Sequence, residues 1–114
     1  MKSDDDSAWS RAATGLVMFV ALFSLAFSAL AASPQALLQR YKCDICHARD
    51  HVRTGPAYVD VAAKYRGNAQ AQARLEAAVR SGAHGSGPWP MPPHPEVSKA
   101  DARTMIRYIL SLKK

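Results

Sequence analysis

The sequence predicts an all-α domain of about four helices. Apolar residues recur at helical spacing in four separate segments after position 33. No segment alternates apolar and polar side chains over a strand length. Five of the seven prolines crowd into residues 88–95, which excludes both a helix and a central strand there.

Each element has its own grounds. Pro34 suits the first turn of a helix, and Leu37, Leu38 and Tyr41 follow at helical spacing. A polar loop spans residues 48–55. Pro56 then suits the first turn of a second helix, with Tyr58, Val61, Ala62 and Tyr65 on one side and Gly67-Asn68 ending it. Residues 69–80 form an alanine-rich third helix with Leu75, Ala78 and Val79 as its apolar stripe; Gly82 stops it. A stiff extended loop follows, rich in glycine and proline. Ser98 caps the last helix, with Asp101 at its third position. Ala102, Met105, Ile106, Ile109 and Leu110 face one way along it, and Lys113 and Lys114 sit at its C-terminal end.

The chain has 114 residues and a net charge of +6, enough for one small domain. Two cysteines exclude a four-cysteine zinc site and a multi-bridge disulfide framework. The charge is too modest for a basic nucleic-acid arm, and 8% aromatic content is thin for base stacking.

The first third differs in kind. No charged residue occurs between Arg11 and Arg40, and residues 15–27 are almost wholly apolar. Ala29-Leu30-Ala31 fits a small-x-small cleavage pattern, with Lys2 and Arg11 upstream. Residues 1–31 therefore read as a secretory signal, cut near Ala31/Ala32 to leave a domain of residues 32–114. Asp4, Asp5 and Asp6 dissent, because they make the head acidic. The alternative is a membrane anchor over residues 16–32, about 25 Å of helix and the bottom of the spanning range. Without residues 1–31 the net charge is +7. So small a domain often needs a cofactor or staple to complete its core.

Cys43-Asp44-Ile45-Cys46-His47 is C-x-x-C-H, the attachment sequence of a c-type haem. Two thiols three positions apart can each add to one vinyl group, and the adjacent imidazole falls beneath the iron. A thioredoxin-like redox pair needs a βαβ context that the sequence lacks. A zinc site of two cysteines and two histidines, drawn from His47, His51, His84 and His94, stays open, as does a simple exported disulfide. A sixth iron ligand must come from elsewhere. Met91 is the candidate: its thioether is a soft neutral ligand, and flanking prolines restrict the backbone that carries it. Met1 is the start, Met18 belongs to the leader, and Met105 lies on the apolar stripe of the last helix.

These residues, with Gly55-Pro-Ala-Tyr-Val-Asp-Val-Ala-Ala-Lys-Tyr65, Pro90-Met-Pro-Pro93 and Val97-Ser98, closely resemble the short bacterial class I cytochromes c. The resemblance covers nearly all of residues 34–114. It implies a few helices wrapped around one covalent haem, which supplies much of the core. First and last helices would pack together, Leu37, Leu38 and Tyr41 against Ile106, Tyr108, Ile109 and Leu110. His47 and Met91 would hold the iron, with Cys43 and Cys46 as thioethers. The Pro56 carbonyl would accept the other ring N–H of His47, fixing its tautomer.

Three positions depart from the family pattern. Ser86 stands where relatives often carry a propionate-bonding tryptophan, and Trp89, two before Met91, is the pocket candidate instead. His94 replaces an asparagine near the sulfur, as a solvated or tuning residue. Ala78 stands where relatives can carry a polar propionate partner. His51 and His84 read as surface residues. Lys42, Arg49, Arg53, Lys64 and Arg66 are candidates for a positive rim that steers an acidic partner, or for an ordinary solvated surface.

The resulting expectation is a monomeric periplasmic electron carrier, not an enzyme. Its partners would be periplasmic or membrane-bound redox proteins: reductases, oxidases and a quinol–cytochrome c oxidoreductase, met through small transient interfaces and without nucleic acid. The alternatives are a haem enzyme or gas sensor with an open sixth iron position, and a non-haem exported protein with a disulfide or zinc.

Overall fold

The computed structural model describes residues 31–85 and 87–114. The leader or anchor expected over residues 1–31 and 16–32 falls almost wholly outside the described residues, as does Ser86. Residues from Ala32 to Lys114 make up one unit. Among the described residues it contains four α-helices and no strand: α1 (Pro34–Arg40), α2 (Tyr58–Tyr65), α3 (Ala71–Ser81) and α4 (Lys99–Ser111). A short 3-10 turn covers Cys43–Ile45. No helix among the described residues is long and apolar enough to cross a membrane.

α1 begins as the sequence predicts. Pro34 takes the first turn, and the Ser33 hydroxyl accepts from Ala36 N at 3.2 Å. It ends at Tyr41, and Lys42 turns the chain in the left-handed region at φ 57°. α4 is capped in the same way, with Ser98 Oγ accepting from Asp101 N at 3.0 Å. α4 is the hub: α1, α2 and α3 all pack against it. Its stripe of Ala102, Met105, Ile106 and Ile109 is buried, with Met105 only 1% exposed. Leu37 and Leu38 from α1, Tyr58, Val59 and Ala62 from α2, and Val97 and Leu112 at the ends of α4 complete the cluster. Each large aliphatic side chain so buried contributes about 1.5–3 kcal/mol.

Across this core, the Tyr41 hydroxyl donates to Asp101 Oδ2 at 2.6 Å, tying the end of α1 to the start of α4. That bond holds Tyr41 above its ordinary phenol pKa, with burial of the ring adding to the effect.

Two details differ from the sequence reading. α2 starts at Tyr58, so Pro56 lies outside the helix rather than in its first turn. The cause is tertiary: Tyr58 N donates to Ala48 O at 2.9 Å and Val59 N to Arg49 O at 3.0 Å, so the first N–H groups face the loop 48–55. Val59 is buried with Tyr58 and Ala62, while Val61 and Tyr65 are only half-buried. At the C-terminus, α4 ends at Ser111 and Lys114 lies beyond it, its Nζ 2.9 Å from Asp60 Oδ1 of α2.

Candidate haem site

The attachment segment folds on itself within a few residues. His47 N donates to Cys43 O at 3.0 Å and Cys46 N to the same carbonyl at 3.3 Å. This single turn brings the backbones of Cys43, Cys46 and His47 close together. Cys43 and Cys46 are free and half-buried. Burial pushes the Cys43 thiol above its ordinary value, and the neighbouring Asp44 carboxylate pushes the same way.

His47 is held from behind. Its Nδ1–H donates to Pro56 O at 2.8 Å, so Nε2 is the nitrogen left for a metal. The shift of α2 to Tyr58 matters here, because Pro56 stays outside the helix and its carbonyl faces the imidazole rather than a helical N–H. Gly55 closes the loop, donating to Cys46 O at 2.7 Å. A Cβ on Gly55 would stand 2.8 Å from His47 Nδ1 and 2.9 Å from Nε2, so the ring fits only against glycine. The Tyr58 ring stacks on His47 at 5.5 Å and 18°. The Tyr58 hydroxyl is buried without a hydrogen-bond partner among the described residues, and burial raises its pKa well above the usual phenol range. Arg53 braces the same loop through Nη1, which donates to Asp44 O at 2.8 Å.

Met91 lies on the Pro-rich loop, half-buried. It pairs with Ala83 in an isolated antiparallel bridge, Met91 N to Ala83 O at 2.8 Å and Ala83 N to Met91 O at 3.0 Å. Gly82 makes this return possible. Its φ is +81°, and a Cβ there would meet Met91 O at 3.0 Å and Pro93 N at 3.1 Å. His94 N donates to Val79 O at 3.0 Å, which fastens the far side of the loop to the last turn of α3.

The donor set fits a covalently attached haem. Two unpaired thiols sit one turn apart, an imidazole has one nitrogen engaged and the other left over, and a thioether stands on a restrained loop. Among the described residues no three His, Cys, Asp or Glu side chains gather as a metal cluster. His51 and His84 are exposed, and His51 Nδ1 lies 2.9 Å from Asp50 Oδ1. His94 Nδ1 pairs with Glu96 Oε1 at 3.0 Å. That contact, after a backbone N–H, helps to hold the Glu96 carboxyl below its ordinary range.

Trp89 is 70% exposed, so it is not among the buried side chains of the core. Of the five candidate rim residues, Arg49 and Arg53 share one cleft of about 320 Å³ with His47, Leu38 and Tyr108. Lys64 and Arg66 belong to α2 and its C-cap instead, with Lys64 Nζ 5.7 Å from the Tyr65 ring centroid. Lys42 is the exposed left-handed residue ahead of Cys43. Sequence reasoning missed the Arg53 brace and the Ala83–Met91 pairing. Gly55 carried a signal, a glycine directly before the proline whose carbonyl is needed.

No protein-family model matches the chain. Individual relatives do. Cytochrome c-551 of Allochromatium vinosum is 45% identical over 94 residues, covering 77% of this chain and 100% of that protein. Cytochrome c-551 of Pseudomonas aeruginosa is 44% identical over 90 residues, covering 78% of this chain and 86% of that protein. Among solved structures, cytochrome c552 of Nitrosomonas europaea aligns with a TM-score of 0.65 and 37% identity over 68% of this chain and 96% of its own. The class 1 cytochrome MtoD of Sideroxydans lithotrophicus aligns at 0.60 with 30% identity over 68% of this chain and 90% of its own. With its free C-x-x-C-H turn, its braced imidazole and these relatives, the chain belongs to the cytochrome c-551/c-552 family of small class I cytochromes c.

Proposed function

We infer that this protein is a single-electron carrier that works through one covalently attached c-type haem, held by Cys43 and Cys46 and ligated by His47 and Met91. The observation that carries the reading is the 2.8 Å bond from His47 Nδ1 to Pro56 O, one residue after a free C-x-x-C pair. When bound, the haem supplies a ferric/ferrous couple whose potential His/Met ligation raises.

The chain's own part is to hold its donors still. Pro56 O fixes the His47 tautomer and makes the imidazole a stronger donor. Gly55 and Tyr58 pack the ring from two directions, so it does not rotate away. The bridge to Ala83 supports the Met91 backbone. A donor set that stays in place in both oxidation states lets an electron enter and leave with little rearrangement. No substrate bond changes, and the protein is not an enzyme. Relatives named cytochrome c-551, c-552 and c2, at 37–45% identity, favour this carrier over the open-site enzyme or sensor.

Residues 1–31 would act as an export signal, with the carrier domain of residues 32–114 working in the periplasm; an uncleaved segment 16–32 would tether it to the membrane instead. Its donors and acceptors would be periplasmic or membrane-bound redox proteins met one at a time by a monomer. Trp89, two residues before Met91 and 70% exposed in this structure, would contribute to the haem pocket.

The test is an absorption spectrum of the haem-loaded protein, ferric, reduced, and reduced under carbon monoxide. The expected result is a weak long-wavelength sulfur-to-iron charge-transfer band in the ferric protein and no spectral change with carbon monoxide. Absence of that band with ready carbon monoxide binding would overturn Met91 as ligand and restore the open-site alternative. N-terminal sequencing of exported protein decides the leader: a start near Ala32 means a free carrier, an intact N-terminus a tethered one.

A further inference from the structure

The chain between α3 and α4 leaves at Gly82 and returns at Val97, and Met91 lies on it. Three links hold this excursion: one closes it on itself, and two fasten it to the C-terminal end of α3. Ala83 and Met91 exchange two backbone hydrogen bonds at 2.8 and 3.0 Å. His94 N takes Val79 O at 3.0 Å, one of the carbonyls that the end of a helix leaves without an internal partner. Arg80 reaches from the last turn of α3, its Nε donating to Val97 O at 3.1 Å in a part-buried contact. The first two links are backbone to backbone. The third is made by a side chain, and it closes the excursion at the point where the chain enters α4. Val97 itself is 1% exposed and its N–H goes to His94 O at 3.1 Å, so that end of the loop is rigid wherever Arg80 holds it.

We propose that Arg80 is a positioning residue for Met91: its guanidinium on the Val97 carbonyl shuts the loop 82–97 against α3 and so keeps the thioether in competition with outside ligands. The proposal rests on Met91 being the sixth ligand. With the Arg80 link gone, His94 N on Val79 O is the remaining one of these ties between the loop and α3, and the sulfur then spends more time away from its bound position. A charged donor matters here, because a charge-assisted bond to a carbonyl is stronger than a neutral one. Lysine keeps the charge on a flexible stem without the planar fork, so it restores the link only partly.

The experiment measures imidazole binding to the haem-loaded ferric protein, beside the intensity of the charge-transfer band, for the wild type, Arg80→Met, Arg80→Lys and Tyr41→Phe. Tyr41→Phe removes the α1–α4 bond to Asp101 and controls for general loosening. Arg80→Met should bind imidazole about fivefold tighter than the wild type, with a weaker band. Arg80→Lys should fall between, and Tyr41→Phe should match the wild type. Equal affinity in the wild type and Arg80→Met overturns the proposal, as does an equal gain in Tyr41→Phe. Arg80→Gln reads the same constant if Arg80→Met does not load haem. A different result marks failure of the ligand assignment: a wild type without the band that binds imidazole as tightly as Met91→Ala.

Discussion

The two segments that carry the iron ligands are built on different principles. The His47 side is closed within a short stretch of chain: its ring bond spans nine positions, and Gly55 bonds back to Cys46. Side chain, glycine gap and stacked tyrosine meet there in one tight packing arrangement. The Met91 side is an open excursion fastened to a helix end at residues 79 and 80 and closed on itself by the Ala83–Met91 pair. Its hold is mostly backbone, and its side chain is only half-buried. The first arrangement has no slack, so a single added carbon must break it. The second has several weaker fastenings, each of which can loosen alone.

Gly55→Ala gives the largest expected effect. Its Cβ would collide with the imidazole, at a cost of about 3 kcal/mol unless the ring moves off Pro56. The haem-to-protein ratio of purified material should fall by about tenfold or more. Met91→Ala should keep that ratio at the wild-type level, lose the charge-transfer band and bind carbon monoxide. A matching loss of attached haem in Met91→Ala would erase the asymmetry.

Gly82→Ala comes next. At φ +81° and ψ 166° the backbone is in a region that only glycine occupies readily, at a cost of about 1–3 kcal/mol for another residue. Thermal unfolding should drop by roughly 4–8 °C per kcal/mol. The charge-transfer band should weaken while the covalent haem content stays constant. An unchanged band would show that the loop finds its position without the Gly82 turn.

Smaller effects follow from titration. Tyr41 has a folded pKa raised above 10.0 by its bond to Asp101. The folded state therefore binds the phenol proton more tightly, so this contribution is complete below pH 10 and fades as pH rises through the folded value. Denaturant titrations of the ferrous protein should show Tyr41→Phe losing that alkaline decline, with the His47 side unaffected. Glu96 has the opposite sign. Its pKa is lowered from 4.5, first by a backbone N–H and then by His94, so its contribution holds above pH 4.5 and is lost as pH falls. Glu96→Gln should flatten the acid limb slightly and leave neutral stability near the wild type. A large loss at neutral pH would mean that the His94–Glu96 pair, exposed as it is, supports the Met91 loop far more than a surface pair usually does.

Much of this was readable before any coordinates. Pro34, Ser98 and the apolar stripe of α4 carry their own helical instructions, and the structure keeps all three. The C-x-x-C-H motif encodes its own geometry, because a thiol, a thiol and an imidazole within five residues need only one turn to converge. The start of α2 was not readable. A proline two residues earlier looks like a helix opening, and only the carbonyls of Ala48 and Arg49 draw the first helical N–H groups to Tyr58 and Val59. A start at Tyr58 left Pro56 O for His47, and the helix so placed buries Val59 beside Tyr58 and Ala62. Asp101 looked like a capping residue alone, yet its carboxylate also receives the Tyr41 hydroxyl from the other end of the domain.

By itself, then, the sequence determined the helix count, the chemistry of the donors and the apolar faces, since propensity, capping and motif spacing act over a few residues. Only the tertiary structure decided how the donors are held. The Ala83–Met91 bridge, the Val79–His94 bond and the Arg80 link to Val97 engage backbone carbonyls and N–H groups, which nearly every residue carries and no side-chain pattern marks. Such groups acquire specific partners only when packing against α4 brings distant stretches of chain together.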